Sequence, residues 1–131
     1  MRGDGGRVIV GVGIDLVEEE RVERALERWG ERLVCKLMGA EEAARLPPLP
    51  DRAHAIALAI AAKEAASKAL GTGWSRGVSW RDVVVHLGPP LEVRLEGGAL
   101  ARARRLGSAG RTRAALEVRG DLVIGRVRLL S

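Results

Sequence analysis

The sequence contains no Phe and no Tyr, only one Cys, two His and three Trp. Without Phe or Tyr, the core must be filled by Leu, Val, Ile and Ala, and aromatic platforms for stacking nucleic-acid bases are scarce. The single cysteine, Cys35, excludes an intramolecular disulfide framework and suits a reducing compartment, so the expected location is cytoplasmic. No window reaches the roughly 20 consecutive apolar residues of a transmembrane helix. The most apolar stretch, Ala53 to Ala62, is interrupted by His54 and runs into Lys63-Glu64. Met1 to Arg7 lacks the apolar centre of a signal peptide. Lysine is rare as well: apart from Lys36, Lys63 and Lys68, the positive charge is carried by arginine.

What is present fits one domain. A chain of 131 residues has room for a single core of ordinary size, with residues 1–6 expected as a flexible, polar lead-in. Hydrophobic residues make up 47% and charged residues 30%, a balance that fills a core and still solvates a surface. The net charge of +5 favours an anionic partner: nucleic acid, a phosphorylated ligand or an acidic protein.

Along the chain, Arg7 to Val17 is β-branched with glycine interruptions, which predicts a buried strand that bends or approaches another backbone closely. Val22, Ala25, Leu26, Trp29 and Leu33 recur at helical spacing, predicting an amphipathic helix from Glu18 to Leu33, followed by a second helical stretch from Leu33 to Leu46. Pro47-Pro48-Leu49-Pro50 reads as a stiff connector. Asp51 is placed to cap a long, alanine-rich central helix over about 52–70, closed by Gly71. Strands are expected over 78–87, 91–96, 112–119 and 122–130, with a short Arg-rich helix over 99–106 and a hairpin turn at Gly120-Asp121.

Two places carry polar groups where the pattern asks for apolar ones. Asp15 stands near the end of a buried strand, where a carboxylate is costly unless it is paired, bound to a metal or capping the next helix. On the central helix, Lys63, Glu64, Ser67 and Lys68 interrupt a run of alanines, and Glu64, Ser67 and Lys68 share a face. An ordinary i, i+4 salt bridge accounts for part of this. The flanking alanines, however, let other backbone approach, so the polar face could border a cleft. A Glu plus an Asp from elsewhere is the sparse protein share typical of a Mg²⁺ site that substrate phosphates complete. A lysine ammonium reaches phosphate, and the backbone N–H groups of Gly71-Thr72-Gly73 could approach an anion.

Gly11 to Glu23 (GVGIDLVEEERVE) and Ala61 to Gly73 (AAKEAASKALGTG) resemble the two signature segments of the holo-[acyl-carrier-protein] synthase family, the small trimeric class of 4'-phosphopantetheinyl transferases. The resemblance runs in order from Arg7 to Leu130. It implies an α+β fold with an antiparallel sheet packed on a long central helix, a homotrimer with active sites between subunits, and transfer of phosphopantetheine from coenzyme A to a serine of an apo acyl carrier protein, releasing adenosine 3',5'-bisphosphate. By the same match Asp15 and Glu64 would hold Mg²⁺. Lys68 would offset phosphate charge or assist removal of the serine proton, and Lys63, Ser67, Gly71, Thr72 and Gly73 would seat the nucleotide phosphates. Arg21, Arg24 and Arg28 would dock the acidic carrier protein, unless they pair with glutamates of their own helix.

Departures from the family pattern stand out. Ala59 and Pro89 replace a usual Arg and Lys, Gly39 replaces a Thr while Glu42 is kept, and Ala115-Leu116-Glu117-Val118 replaces the near-terminal Ser-x-Ser-His motif. They raise a second reading, a diverged member that binds coenzyme A or carrier protein with little or no transfer. A third, a basic nucleic-acid-binding module, is suggested by the Arg-rich stretch from Arg102 to Arg128 but lacks aromatic platforms and any recognition-helix or zinc signature. Neither a membrane nor a nucleic acid is the expected partner.

Overall fold

The computed structural model describes residues 2–3 and 5–131. Of the lead-in expected over 1–6, Met1 and Asp4 lie outside the described residues; a two-residue strand, β1 (Arg2–Gly3), turns through Gly5 and Gly6 to pair with Arg7 and Val8. The fold is α+β. Strand β2 (Arg7–Glu18) pairs antiparallel with the C-terminal strand β6 (Leu122–Leu130), which pairs in turn with β5 (Arg111–Arg119) through the expected turn at Gly120-Asp121. The main sheet therefore has the order β1-β2-β6-β5, and a second, two-stranded sheet joins β3 (Val83–His86) to β4 (Glu92–Leu95).

Helix α4 (Arg52–Ala69) lies across the main sheet and is buried on nearly all sides, which its alanine-rich, weakly amphipathic sequence permits. Three glycines determine how closely it sits. A Cβ on Gly11 would come within 2.1 Å of the Ala69 carbonyl oxygen, one on Gly13 within 1.8 Å of that of Ala65, and one on Gly125 within 2.4 Å of that of Ala61. Ala61, Ala65 and Ala69 form an i, i+4, i+8 stripe, so helix backbone rests directly on strand backbone. The glycine interruptions in β2 thus have the close-approach role expected of them.

The long helix expected over 18–33 is two helices, α1 (Glu19–Trp29) and α2 (Glu31–Leu37), because Gly30 between them adopts φ +53°. The stretch to Leu46 breaks again where Met38 is extended, leaving α3 (Ala40–Ala44). The strand expected from Val78 starts only at Val83, since Ser79 and Asp82 cap a 3-10 turn over Trp80–Asp82. Asp51 makes no side-chain cap for α4; its carbonyl oxygen simply accepts from the Ala55 N–H at 3.1 Å. Gly71 does close that helix, with φ +74°. The Arg-rich helix α5 spans Gly97–Arg105.

Aliphatic side chains fill two adjoining cores: one under β3, β4 and α5, around Val83, Leu95, Ala99 and Leu129, and one between α4 and the α1–α2 corner, around Val22, Val34, Leu37 and Ile56. Trp74 and Trp80 stack at 4.0 Å between ring centroids beside them.

Candidate functional site

The alternation of β2 that points Gly11 and Gly13 at α4 points Asp15 the same way, opposite Gly125. Its carboxylate meets α4 at Lys68: the ammonium lies 2.6 Å from Asp15 Oδ1 and also donates to the Ile14 carbonyl at 3.3 Å. Asp15 is therefore paired in the middle of a strand and caps no helix. The α1 N-terminus is served by Asp121, whose carbonyl oxygen accepts from Glu19 N–H at 2.8 Å and whose carboxylate accepts from Glu20 N–H at 3.2 Å. Nothing local in sequence signals that partnership, since the cap comes from the β5–β6 turn.

Asp15 and Glu64 line one open cleft of about 360 Å³ together with Arg21, Val22 and Ile60. The hydrogen bond to Asp15, and then the Asp15 charge, push the Lys68 ammonium above its usual range; the Glu64 charge adds a smaller share in the same direction. Lys68 is thus protonated at neutral pH. Three carboxylates, those of Asp15, Glu18 and Glu64, and the Arg21 guanidinium line this cleft, with Lys68 held on Asp15, and that set can organise a polyanion around a hard cation.

The other residues expected to hold phosphates go elsewhere. Lys63 is fully buried: its ammonium is 3.0 Å from Glu42 Oε1 and donates to the carbonyls of Trp80, at 3.0 Å, and Val83. The second oxygen of Glu42 accepts from the Val85 N–H at 3.1 Å. Desolvation lowers the pKa of Lys63, with Glu42 opposing. It is a structural tie between α4, α3 and the start of β3, out of reach of any ligand in the cleft. Ser67 is also buried and donates to its own helix, to the Glu64 carbonyl at 2.7 Å. The N–H of Gly71 goes to Lys68 O, and those of Thr72 and Gly73 go to Ser67 O, so all three close the helix and are not presented to an anion.

The α1 arginines divide. Arg21 lines the cleft and lies 4.0 Å from Glu18. Arg24 is ion-paired to Glu20, and Arg28 packs 5.0 Å from the Trp29 ring centroid. Ala59 is buried and borders a separate cavity of about 190 Å³, lined also by Glu42, Arg45, His86 and Gly88.

The sequence model of the 4'-phosphopantetheinyl transferase superfamily matches residues 11–119. The chain belongs to that superfamily. Among curated relatives, the holo-[acyl-carrier-protein] synthase of Methylobacterium sp. (strain 4-46) is 50% identical over 102 residues, covering 76% of this chain and 75% of its own length. Among solved structures, that of holo-[acyl-carrier-protein] synthase from Neisseria meningitidis superposes with a TM-score of 0.79 at 27% identity, covering 93% of this chain and 98% of its own. A holo-(acyl-carrier-protein) synthase from Bacillus anthracis, in complex with CoA (3',5'-ADP), matches with a TM-score of 0.69 at 26% identity, over 94% of this chain and 97% of its own. In this transferase the departure at Ala115 to Val118 falls on β5, where Leu116 pairs with Gly125 and Val118 with Val123. Ala115, Glu117 and Val118 stand there in place of the hydroxyls and imidazole, and Glu117 is ion-paired to Arg119 and lies 3.6 Å from Arg126.

Proposed function

We propose that the protein is a holo-[acyl-carrier-protein] synthase that transfers the 4'-phosphopantetheine group from coenzyme A to a serine of an apo acyl carrier protein, releasing adenosine 3',5'-bisphosphate. The observation that carries this reading is the placement of Asp15 and Glu64 on one cleft with Arg21, Lys68 being paired to Asp15, in a chain of this superfamily. Asp15 and Glu64 are the ligands proposed for Mg²⁺. The donor set fits: both offer hard carboxylate oxygens, and among the described residues no group of three or more His, Cys, Asp or Glu forms a closed metal site. When bound, the cation would offset charge on the coenzyme A pyrophosphate.

In the reaction the serine oxygen bonds to the phosphorus that carries the pantetheine arm, while that phosphorus separates from the bridging oxygen of the nucleotide. Phosphoryl transfer asks the protein chiefly to align these groups and stabilise charge. The Lys68 ammonium, held on Asp15, would offset phosphate charge or assist removal of the serine proton. Arg21 and Arg28, exposed beside the cleft, attract an acidic carrier; Arg24 can join them once it leaves Glu20, an exposed pair that costs little to break.

A homotrimer is part of the proposal. Val12, Ile14 and Leu16 stand 57%, 54% and 60% exposed on the sheet face turned away from α4, an apolar strip suited to burial against another subunit. No helix among the described residues is long and apolar enough to cross a membrane, and a cytoplasmic location is proposed with the activity. Transfer of labelled phosphopantetheine to apo carrier proteins in the presence of Mg²⁺ tests the reading. Asp15→Ala and Glu64→Ala should each lower turnover at least a hundredfold with circular dichroism unchanged. Near-normal rates in either would remove that residue from the metal site. The substitutions at Ala59 and Ala115 to Val118 favour one second reading, a member that binds coenzyme A or carrier with little transfer. Binding of both without turnover across several carriers would establish it.

A further inference from the structure

Three arginines of the Arg-rich stretch from Arg102 to Arg128, which the transferase reading leaves without a role, meet on one surface. Strand alternation places Arg113 of β5 and Arg126 and Arg128 of β6 on the sheet face turned away from α4, beside Val12 and Ile14 of β2. The register sets Val12, Arg128 and Arg113 in one row across the sheet and Ile14, Arg126 and Ala115 in the next. These six residues line one open pocket of about 400 Å³. In the first row two like charges are direct cross-strand neighbours. In the second, Arg126 stands half exposed between two apolar side chains, 3.6 Å from Glu117, which Arg119 also engages. Glu117 is the only acidic residue of β5 and β6.

The apolar strip of β2 is the surface proposed above as a subunit interface, so a copy that covers it also takes the neighbouring guanidinium groups out of water. Arginine does not shed its proton, and a charge in such a place is costly unless a counter-charge accompanies it. Cyclic symmetry repeats the imbalance, because each copy brings the same arginines and a single Glu117 to the shared interface. Guanidinium forks arriving from several directions suit a phosphate-type oxyanion, whose oxygens accept paired N–H donors. We propose that the pocket of Arg113, Arg126 and Arg128 binds an inorganic oxyanion of the phosphate class that is shared between subunits, the site being complete only when neighbouring copies close over it. The proposal rests on the homotrimer reading and adds a ligand on which assembly depends. Asp15 points to the opposite side of the sheet, so this anion is distinct from a substrate phosphate held in the cleft of the same subunit.

Sedimentation of the full chain in Mg²⁺-free buffer, with inorganic phosphate exchanged for chloride at matched ionic strength, tests it. In phosphate the wild-type trimer should persist to about tenfold lower protein concentration, and calorimetry should count one phosphate for every trimer. Arg126→Gln should lose this dependence and assemble more tightly in chloride than the wild type, because the charge that needed a counter-ion is gone. Arg128→Gln should behave in the same way, whereas Lys68→Met, which removes the ammonium paired to Asp15, should keep the full phosphate effect. A trimer equally stable in both salts, or one that phosphate strengthens to the same extent in the wild type and in Arg126→Gln, as general exclusion of the salt from protein surface would do, overturns the anion site and leaves the trimer standing. A chain that is monomeric in both salts overturns the trimer reading and the site with it. Phosphate bound once per monomer without a change in mass overturns the shared site. Salt-sensitive capture of a DNA or RNA oligonucleotide that Arg126→Gln loses would assign this face to nucleic acid and overturn the proposal.

Discussion

Two lysines five positions apart on α4 have opposite fates. Lys63 is enclosed with Glu42, and the pair is worth little net while costly to split, since either partner alone is a buried uncompensated charge. Glu42→Ala should destabilise the fold by about 3–5 kcal/mol in urea unfolding, and the double change Glu42→Leu with Lys63→Met should recover only part of that, because the Val85 N–H and the carbonyls of Trp80 and Val83 lose their partners. An additive double variant would show that the two side chains do not act as a pair. Lys68, by contrast, is exposed and its pKa is raised by Asp15. A raised folded pKa means that this contact contributes fully below the ordinary lysine value of 10.5 and is lost as pH climbs through the higher folded value. Urea titrations of the wild type and Lys68→Met should therefore keep a constant separation through neutral pH and converge only in the alkaline range. Convergence at or below neutral pH would show that loss of the Lys68 proton does not govern the contact.

At the level of elements, the register between α4 and the main sheet positions the candidate site. Gly11, Gly13 and Gly125 accept the carbonyls of Ala69, Ala65 and Ala61, and Asp15 is the next inward position of the same strand. Gly13→Ala leaves its methyl no room and must lift the helix, costing about 3 kcal/mol in thermal or urea unfolding and lowering turnover as well, because Lys68 and Glu64 move with α4. Unchanged stability would mean that helix and sheet are less tightly coupled than the contact implies. The strands β2, β5 and β6 and the helix α4 were legible from alternation, alanine content and Gly71. The break at Gly30 was not, because the apolar spacing continues across it and only the backbone sign changes. The strand expected from Val78 was shortened by local capping between Ser79 and Asp82, which outweighs the β-branched composition nearby.

For the whole molecule, one face of the main sheet is covered by α4 and the other leaves Val12, Ile14 and Leu16 in water. Under the proposed trimer this strip becomes interior. Ile14→Glu should then convert the assembly to a monomer by light scattering, with transfer falling at least tenfold if the site is completed by a neighbouring subunit. A wild-type protein that is already monomeric would remove the trimer from the proposal. The family, the order of elements and the presence of Asp15 and Glu64 in its two signature segments were determined by sequence alone, because they depend on residue identity and linear spacing. Which charges face the cleft was decided only by the tertiary structure. Helical geometry turns Lys63 and Lys68 about 140° apart, and on a helix buried nearly all round, only the packed neighbours distinguish a side that meets Glu42 from a side that meets Asp15.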